Sequence, residues 1–170
     1  DGATGTFLYS LGVPKGHCYD ELSLSRPDIV ERVHREYIAA GADIITTNTF
    51  GANRNILEKY YDLGAKTVDI NISAVRIARS AIRESANKPV LVAGDIGPIT
   101  RPFESAEKLT QSELQEIFAE QIMALVEGGV DVLLFETYSD LSELLFGVQV
   151  AIKIAPQLPI WASMTFIEGK

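Results

Sequence analysis

One stretch decides the fold class of this 170-residue chain: Ala42-Asp-Ile-Ile-Thr-Thr-Asn-Thr49, a nearly continuous apolar run that ends in polar side chains. Three further runs, over residues 89–95, 130–136 and 159–165, have the same character. Parallel strands that are buried on both faces lack the apolar/polar alternation of half-exposed antiparallel strands. We therefore predict four buried, parallel strands.

Helical patterns lie between these runs. Ser25 can cap a helix that has Pro27 in its first turn and that ends near Ala40, where Gly41 permits a left-handed stop. The apolar face of this helix is predicted to comprise Ile29, Val33, Tyr37 and Ala40. Three more helices are predicted over about 69–85, from the capping box 110–113 to residue 128, and from about 140 to before 156. Alternating helices and strands predict an α/β protein with a parallel sheet.

Two α/β architectures fit this pattern, an open doubly wound sheet and a closed eight-stranded barrel. The strand centres near Ile44, Val92, Leu133 and Ala162 lie about 39 residues apart, so eight such units need roughly 310 residues, which is within the barrel range. On that spacing the chain is expected to hold roughly the first five units of a (β/α)₈ TIM barrel. It would lack the body of strand 1 and units 6–8, so that residues 1–170 form one incomplete domain.

Composition excludes several classes of function. The chain is 46% hydrophobic and 22% charged, as folded domains are, and its net charge of −8 without any basic block argues against nucleic-acid binding. No apolar run reaches the ~18–20 residues of a membrane span. A single cysteine, Cys18, and the absence of a secretory leader favour a reducing, cytoplasmic setting.

Polar residues follow each predicted strand. They are Thr47, Asn48 and Thr49 after the first run, Asp95 after the second, Glu136 after the third, and Ser163 and Thr165 beside Met164 after the fourth. The carboxyl ends of parallel strands share one edge, so these side chains are expected to meet there. The following helix is better capped by Ser139 or Asp140. Glu136 is therefore expected to face the space that the strand ends enclose. For Asp95, bonding to its own turn is an equal alternative.

Other chemistry-bearing residues are better explained as structural. His17 and Cys18 are adjacent, but no further imidazole or thiolate nearby completes a zinc site. His34 lies beside the apolar face of a helix, which favours a buried structural role. Aromatic residues such as Phe50 and Tyr61 are more often core or rim than pocket. Neither of the two common phosphate-loop motifs occurs in the chain.

Several segments together resemble the homocysteine S-methyltransferase family. They are Asp1-Gly-Ala-Thr-Gly-Thr6, Ala40-Gly-Ala-Asp-Ile-Ile-Thr-Thr-Asn-Thr-Phe-Gly-Ala52, Gly94-Asp-Ile-Gly-Pro98 and Phe135-Glu-Thr137. Within the family the chain is most similar to the form fused to a methylenetetrahydrofolate reductase domain and to the homocysteine module of cobalamin-dependent methionine synthase. The resemblance implies a (β/α)₈ barrel that transfers a methyl group to the sulfur of homocysteine to give methionine.

The resemblance also implies roles for individual residues. Asp1 and Glu136 match the acidic residues that hold the substrate ammonium group. The substrate carboxylate would meet backbone amides of Gly2, Ala3, Thr4 and Gly5. Thr47, Asn48 and Thr49 would line the pocket, with side chains free to donate or accept hydrogen bonds, and Asp95 and Met164 are further pocket candidates.

The family's catalytic zinc is the main departure. The resemblance implies three cysteine thiolates from later strands, none of which is in this chain, so the zinc ligands are expected downstream of Lys170 and no catalytic residue is expected within the 170 residues. Methyltetrahydrofolate and S-methylmethionine are the candidate methyl donors, and a reductase or cobalamin domain is a candidate further part of the parent protein. Two alternatives stay open: a non-catalytic half-barrel or assembly module, and a different barrel enzyme that uses Asp95 and Glu136 as an acid/base pair.

Overall fold

The computed structural model describes residues 2–99 and 109–166, and its centre is a parallel four-stranded sheet. The strands are β1 (Ile44–Thr46), β2 (Leu91–Ile96), β3 (Val132–Tyr138) and β4 (Ile160–Met164), and they lie in the order β1-β2-β3-β4. A doubly wound sheet reverses its strand order at a switch point, whereas a barrel wall keeps sequence order. The sequential order therefore confirms the barrel architecture, of which the chain forms a part.

Seven α-helices accompany the described strands. They are α1 (Thr4–Ser10), α2 (Leu22–Ser25), α3 (Pro27–Ala39), α4 (Arg54–Tyr61), α5 (Thr67–Ser85), α6 (Gln111–Gly128) and α7 (Leu141–Ile154), with a 3₁₀ turn at Gly64–Lys66. The four long helices match the predicted ones. Helices α1, α2 and α4 have four to eight residues, too few to show a helical period in the sequence.

The helix ends follow the local sequence signals. Gly41 adopts φ +99° just after α3, a left-handed conformation that glycine reaches without steric cost. Thr110 and Glu113 form the reciprocal capping box at the start of α6. Asp140 caps α7 by accepting hydrogen bonds from the backbone N–H groups of Ser142 and Glu143.

Two details of the prediction are wrong. The buried face of α3 comprises Val30, Val33, His34 and Ile38, because α3 packs against α5 with a face rotated from the predicted one and Ala40 lies beyond its last turn. The strand β4 is not buried on both faces: Trp161, Ala162 and Ser163 are exposed. In the described part of the chain β4 pairs only with β3, so it is the outer strand of the sheet.

The main core lies between the sheet and the helices α5, α6 and α7. Val92, Ile96, Leu133 and Phe135 point outward from the strands and are buried in the same cluster as Phe118 of α6. The residues between them in the strands face the opposite side, where the cleft opens at the carboxyl ends. None of the described helices combines the length and the apolar character needed to cross a membrane.

Candidate functional site

A cleft of about 350 Å³ opens at the carboxyl ends of β1, β2 and β3. Its walls come from the strand ends and from the start of α1 and the segment between α1 and α2. Its lining residues are Gly2, Thr4, Gly5, His17, Tyr19, Asp20, Thr46, Thr47, Asn48, Thr49, Phe50, Gly51, Ile56, Tyr61, Asp95 and Glu136. This is the end of a parallel barrel at which active sites are found.

Most of the residues proposed from the sequence lie together in this cleft. Gly2, Thr4, Gly5, Thr47, Asn48, Thr49, Asp95 and Glu136 all line it. Two do not: Ala3 is absent from the lining, and Met164 packs against the main core instead. Asp1 lies outside the residues that the structure describes.

Strand register explains why Asp95 and Glu136 meet. Asp95 of β2 pairs with Leu134 of β3, and in-register residues of parallel strands point to the same side of the sheet. Glu136 follows Leu134 by two residues and so shares that side. The two carboxyl groups therefore lie on neighbouring strands, one pleat apart, and face the cleft together.

A closed ring of hydrogen bonds joins the ends of β1 and β2. The backbone N–H of Asp95 donates to Thr47 Oγ1 (3.0 Å), and Thr49 Oγ1 donates to the carbonyl oxygen of Asp95 (2.7 Å). The two threonine oxygens lie 2.6 Å apart. Because the Thr49 proton is engaged by Asp95, the bond between the hydroxyls must run from Thr47 to Thr49.

This ring changes the expected role of the threonines. Both hydroxyl protons are used between the strands, so neither threonine is a free donor toward a ligand, and each oxygen keeps a single acceptor lone pair. Asn48 is likewise engaged, since its Nδ2 donates to the backbone oxygen of Tyr19 (2.6 Å). The two threonines therefore hold the backbone of Asp95, and Asn48 ties the end of β1 to the segment between α1 and α2.

Asp95 is the most unusual group in the cleft. Its side chain is buried, and its Oδ1 has no hydrogen-bond partner. Burial raises the pKa of Asp95 well above its ordinary value, and the negative charge of Glu136, a hydrogen bond to Glu136 and the charge of Asp20 raise it further. These surroundings therefore disfavour the ionised form of Asp95.

Asp20 adds a third carboxylate from the segment between α1 and α2. Its Oδ1 accepts a hydrogen bond from the backbone N–H of Gly51 (3.0 Å), which ties this segment to the loop after β1. Nearby Cys18 is buried, and burial together with the charge of Asp20 raises the pKa of the thiol to about 12. Cys18 is therefore a protonated packing residue at neutral pH.

A close backbone contact joins the loops after β1 and β2. Gly97 donates its N–H to the carbonyl oxygen of Phe50 (3.1 Å), and a Cβ atom on Gly97 would come within 2.5 Å of that oxygen. Only glycine permits this approach. The hydroxyl of Tyr138 donates to the Gly97 carbonyl oxygen (2.8 Å), so β3 is attached to the same contact.

A β-bulge ends β3 just where Glu136 is placed. Phe135 pairs with Ala162 but Tyr138 pairs with Met164, so β3 carries one extra residue. Thr137 lies in the bulge at φ +65°, a conformation that β-branched residues rarely adopt. The extra residue returns Tyr138 to the core side, where its ring lies 6.1 Å from that of Phe135, while Glu136 keeps its position in the cleft.

The sequence did not indicate every lining residue. Asp20, Tyr19 and Ile56 are not among the residues predicted from the sequence, and His17 is considered there only as a metal ligand. They lie in connections without hydrophobic periodicity. The available signal was topological, since the connections that leave the carboxyl ends of the strands converge on the cleft.

Thr4 and Gly5, whose backbone amides are expected to meet a substrate carboxylate, lie in the first turn of a short helix. Helix α1 begins at Thr4, and its Phe7 N–H donates to the Ala3 carbonyl oxygen (3.0 Å). Gly2, Thr4 and Gly5 still reach the cleft wall. Their predicted contact with a substrate carboxylate stays a prediction.

The described residues do not fit a metal ion. Over residues 2–99 and 109–166, no group of three or more His, Cys, Asp and Glu side chains is arranged to hold one. The cleft carboxyls instead form a negatively charged surface. No lysine or arginine is among the described residues that line it.

Comparisons with known proteins identify relatives of the chain. The methionine synthase of Mycobacterium tuberculosis (strain ATCC 25618 / H37Rv) is 30% identical over 177 residues, which cover 97% of this chain and 15% of that protein. The crystal structure of the oxidized homocysteine methyltransferase MmuM from Escherichia coli matches with a TM-score of 0.82 at 23% identity, over 98% of this chain and 61% of that one. Its metallated form gives 0.82 over 62% of that chain, and its apo form 0.72 over 58%.

The chain thus spans about three-fifths of the solved structures and a much smaller part of the curated relative that it matches. The solved structures support the barrel fold. The family profile described as homocysteine S-methyltransferase matches residues 1–170, the whole of the sequence. The chain belongs to the homocysteine S-methyltransferase family.

Proposed function

We propose that this chain supplies the amino-acid-recognition part of an enzyme that transfers a methyl group to the sulfur of L-homocysteine to form methionine. The observation that carries the proposal is the charge of the cleft, in which Asp20, Asp95 and Glu136 converge without a lysine or arginine in the described lining. Such a cleft attracts a cationic group and repels an anionic one. An α-ammonium group is the cation that every amino-acid substrate carries.

Recognition of the substrate divides between two parts of the cleft. Glu136 accepts charge-assisted hydrogen bonds from the ammonium group, a role for which Asp1 is the second proposed partner. The backbone at Gly2 to Gly5 faces the substrate carboxylate. The threonines of the β1–β2 ring shape the pocket and have no proton left to donate to the substrate carboxylate, and we assign the ammonium group to the carboxylates.

Activation of the thiol is assigned to zinc on the family resemblance. Bound zinc would keep the homocysteine sulfur as a thiolate nucleophile at neutral pH. The described residues do not fit this metal, so its cysteine ligands are expected beyond Lys170 and we derive no step through it. We accordingly expect the isolated 170-residue chain to be inactive in methyl transfer. The choice between methyltetrahydrofolate and S-methylmethionine as donor, and the cytoplasmic setting, stay predictions.

The direct test is Glu136→Gln in the intact protein, with L-homocysteine binding measured by titration calorimetry. Loss of a charge-assisted hydrogen bond of ~1.5–3 kcal/mol should weaken binding by roughly 10- to 100-fold. A matched ligand, 4-mercaptobutanoate, has the thiol and carboxylate but no ammonium group. Its affinity should not fall in the variant.

A matched variant is Glu143→Gln, at the start of α7. Glu143 is a half-buried carboxylate outside the cleft that accepts a hydrogen bond from the Ile99 N–H (2.7 Å), and glutamine retains that acceptor. Homocysteine affinity should stay unchanged. Unchanged affinity in Glu136→Gln, or an equal loss for both ligands, would exclude the ammonium role of Glu136.

A second candidate function uses Asp95 and Glu136 as a general acid and base on a different substrate. The raised pKa of Asp95 beside Glu136 favours it, because proton transfer needs a group that can hold a proton next to one that can accept it. The relative affinities for an amino acid and for its deaminated analogue distinguish the two functions. An amino acid that binds through its ammonium group places a cation on the pair, whereas an acid/base site would bind the deaminated ligand at least as well.

A further inference from the structure

We infer that Asp95 and Glu136 form a one-proton carboxyl pair that exchanges its proton for the α-ammonium group of the substrate. This inference rests on the proposed function and adds Asp95 to the groups that bind the substrate. One proton leaves the cleft for each ammonium group that enters.

The side chain of Asp95 has one oxygen atom without a hydrogen-bond partner. Its backbone N–H and carbonyl groups are both bonded within the threonine ring, which fixes the backbone from which the side chain extends. Asp95 lines the cleft, and its Oδ1 is buried without a hydrogen-bond partner. A buried acceptor without a donor is unfavourable, and a ligand that supplies an N–H removes that penalty.

The groups around Asp95 decide its protonation in the empty cleft. Glu136 of β3 and Asp20 from the α1–α2 segment are acidic, His17 lies on the cleft wall, and the Tyr138 hydroxyl donates to the Gly97 carbonyl oxygen. Burial and the neighbouring carboxylates raise the pKa of Asp95. Two like charges at such a site cannot both persist, so the pair holds one proton, carried by Asp95 and donated to Glu136.

An ammonium group reverses this balance. Its three N–H donors can reach Asp95 Oδ1 and Glu136 together, and its positive charge favours ionisation of both carboxyls. Asp95 then loses its proton, which passes through the open cleft to buffer, and no covalent bond to carbon or sulfur changes. The ammonium charge replaces the charge of the departing proton, so the net charge of the pair with its ammonium group equals that of the empty pair, which limits the cost of desolvating the ion.

The experiment measures protons released on binding by the intact protein. L-Methionine is the probe, because it carries the ammonium group but no thiol whose own proton could leave. Calorimetric titration in buffers of different ionisation enthalpy, between about pH 5.5 and 7.5, gives the proton count. We expect up to about one proton released per methionine, and an affinity that weakens roughly tenfold per pH unit as the pH falls below the pKa of the free pair.

The variants separate Asp95 from its neighbours. In Asp95→Asn the proton release and the pH slope should both disappear, whereas Glu143→Gln should retain them. Release that persists in Asp95→Asn would assign the proton to another group such as His17 and overturn the inference. If Asp95→Asn fails to fold, infrared difference spectra of the unaltered protein decide, since methionine should abolish one carboxylic acid C=O band.

The outcomes also distinguish this inference from the proposed function. Methionine that binds without proton release at every pH contradicts the carboxyl pair and leaves amino-acid recognition intact. Absence of binding by both methionine and homocysteine contradicts the proposed function, and the inference fails with it.

Discussion

The end of β1 and the end of β3 border the same cleft but use their polar groups in opposite ways. After β1, the Thr47 hydroxyl donates to Thr49 and the Thr49 hydroxyl donates to the backbone of Asp95, so both protons are engaged within the framework. After β3, Glu136 faces the cleft from a bulge whose Thr137 has φ +65°. Polar side chains at strand ends therefore build the framework of the site at one position and line its cleft at the other.

The difference has an energetic side. The β1 end gains stability from buried hydrogen bonds that are all satisfied, whereas the β3 end carries a backbone conformation that costs of order 1–3 kcal/mol. That cost is compensated by the placement of Tyr138, whose buried ring packs near Phe135 and whose hydroxyl reaches Gly97. The bulge thus serves the core and the cleft at once.

The largest effect should come from opening the threonine ring with Thr49→Val. Valine keeps the shape of threonine but leaves the Asp95 carbonyl oxygen without its donor and the Thr47 hydroxyl without its acceptor. Thr49 is fully buried, so we expect the free energy of unfolding to fall by about 2–4 kcal/mol. Urea denaturation measures it.

The control is Thr6→Val on α1, where the threonine is exposed. It should change the free energy of unfolding by less than about 0.5 kcal/mol. An equally small effect of Thr49→Val would mean that the ring is a consequence of the fold and does not stabilise it. In that case the contrast between the two strand ends would be lost.

Sequence reasoning predicted the barrel because that depends on patterns within single segments. Continuous apolar runs and cap residues such as Asp140 mark each element independently of its neighbours. Because the carboxyl ends of parallel strands share one edge of the sheet, the sequence also predicts that Thr47, Asp95 and Glu136 lie at that edge. These signals are short-range, and a single sequence contains them.

The division of labour among those residues could not be predicted. Whether the Thr49 hydroxyl donates its hydrogen bond to a ligand or to the protein depends on Asp95, 46 positions away in the sequence. The pKa of Asp95 depends on burial and on Glu136 across a strand pair. Asp20 was missed because nothing in its own segment marks it. Each of these properties arises from contacts that only the folded chain creates.

A smaller effect, of opposite sign, should follow from Thr137→Asn in the bulge. Asparagine tolerates positive φ far better than a β-branched residue, so the free energy of unfolding should rise by roughly 0.5–1 kcal/mol. Thr137→Val is the matched variant, because it also removes the hydroxyl but stays β-branched and should give no gain. Urea denaturation of the pair decides whether Thr137 is strained, and equal stabilities would show that it is not.

The smallest effect should come from Ser163→Ala on β4. The Thr137 N–H donates to Ser163 Oγ at 3.4 Å in an exposed position, a long bond that water can replace. We expect the free energy of unfolding to change by less than about 0.5 kcal/mol, and homocysteine affinity in the intact protein to stay within about twofold.

The Ser163→Ala variant tests which contacts fix the position of Glu136. If the bulge and the buried Tyr138 fix it, removing the Ser163 hydroxyl leaves the ammonium contact intact, and calorimetry will show unaltered binding. A tenfold loss of affinity in Ser163→Ala would instead show that Glu136 depends on β4, the exposed outer strand of the described sheet. The β3 end would then be held by hydrogen bonds as the β1 end is, and the two ends would differ only in how exposed those bonds are.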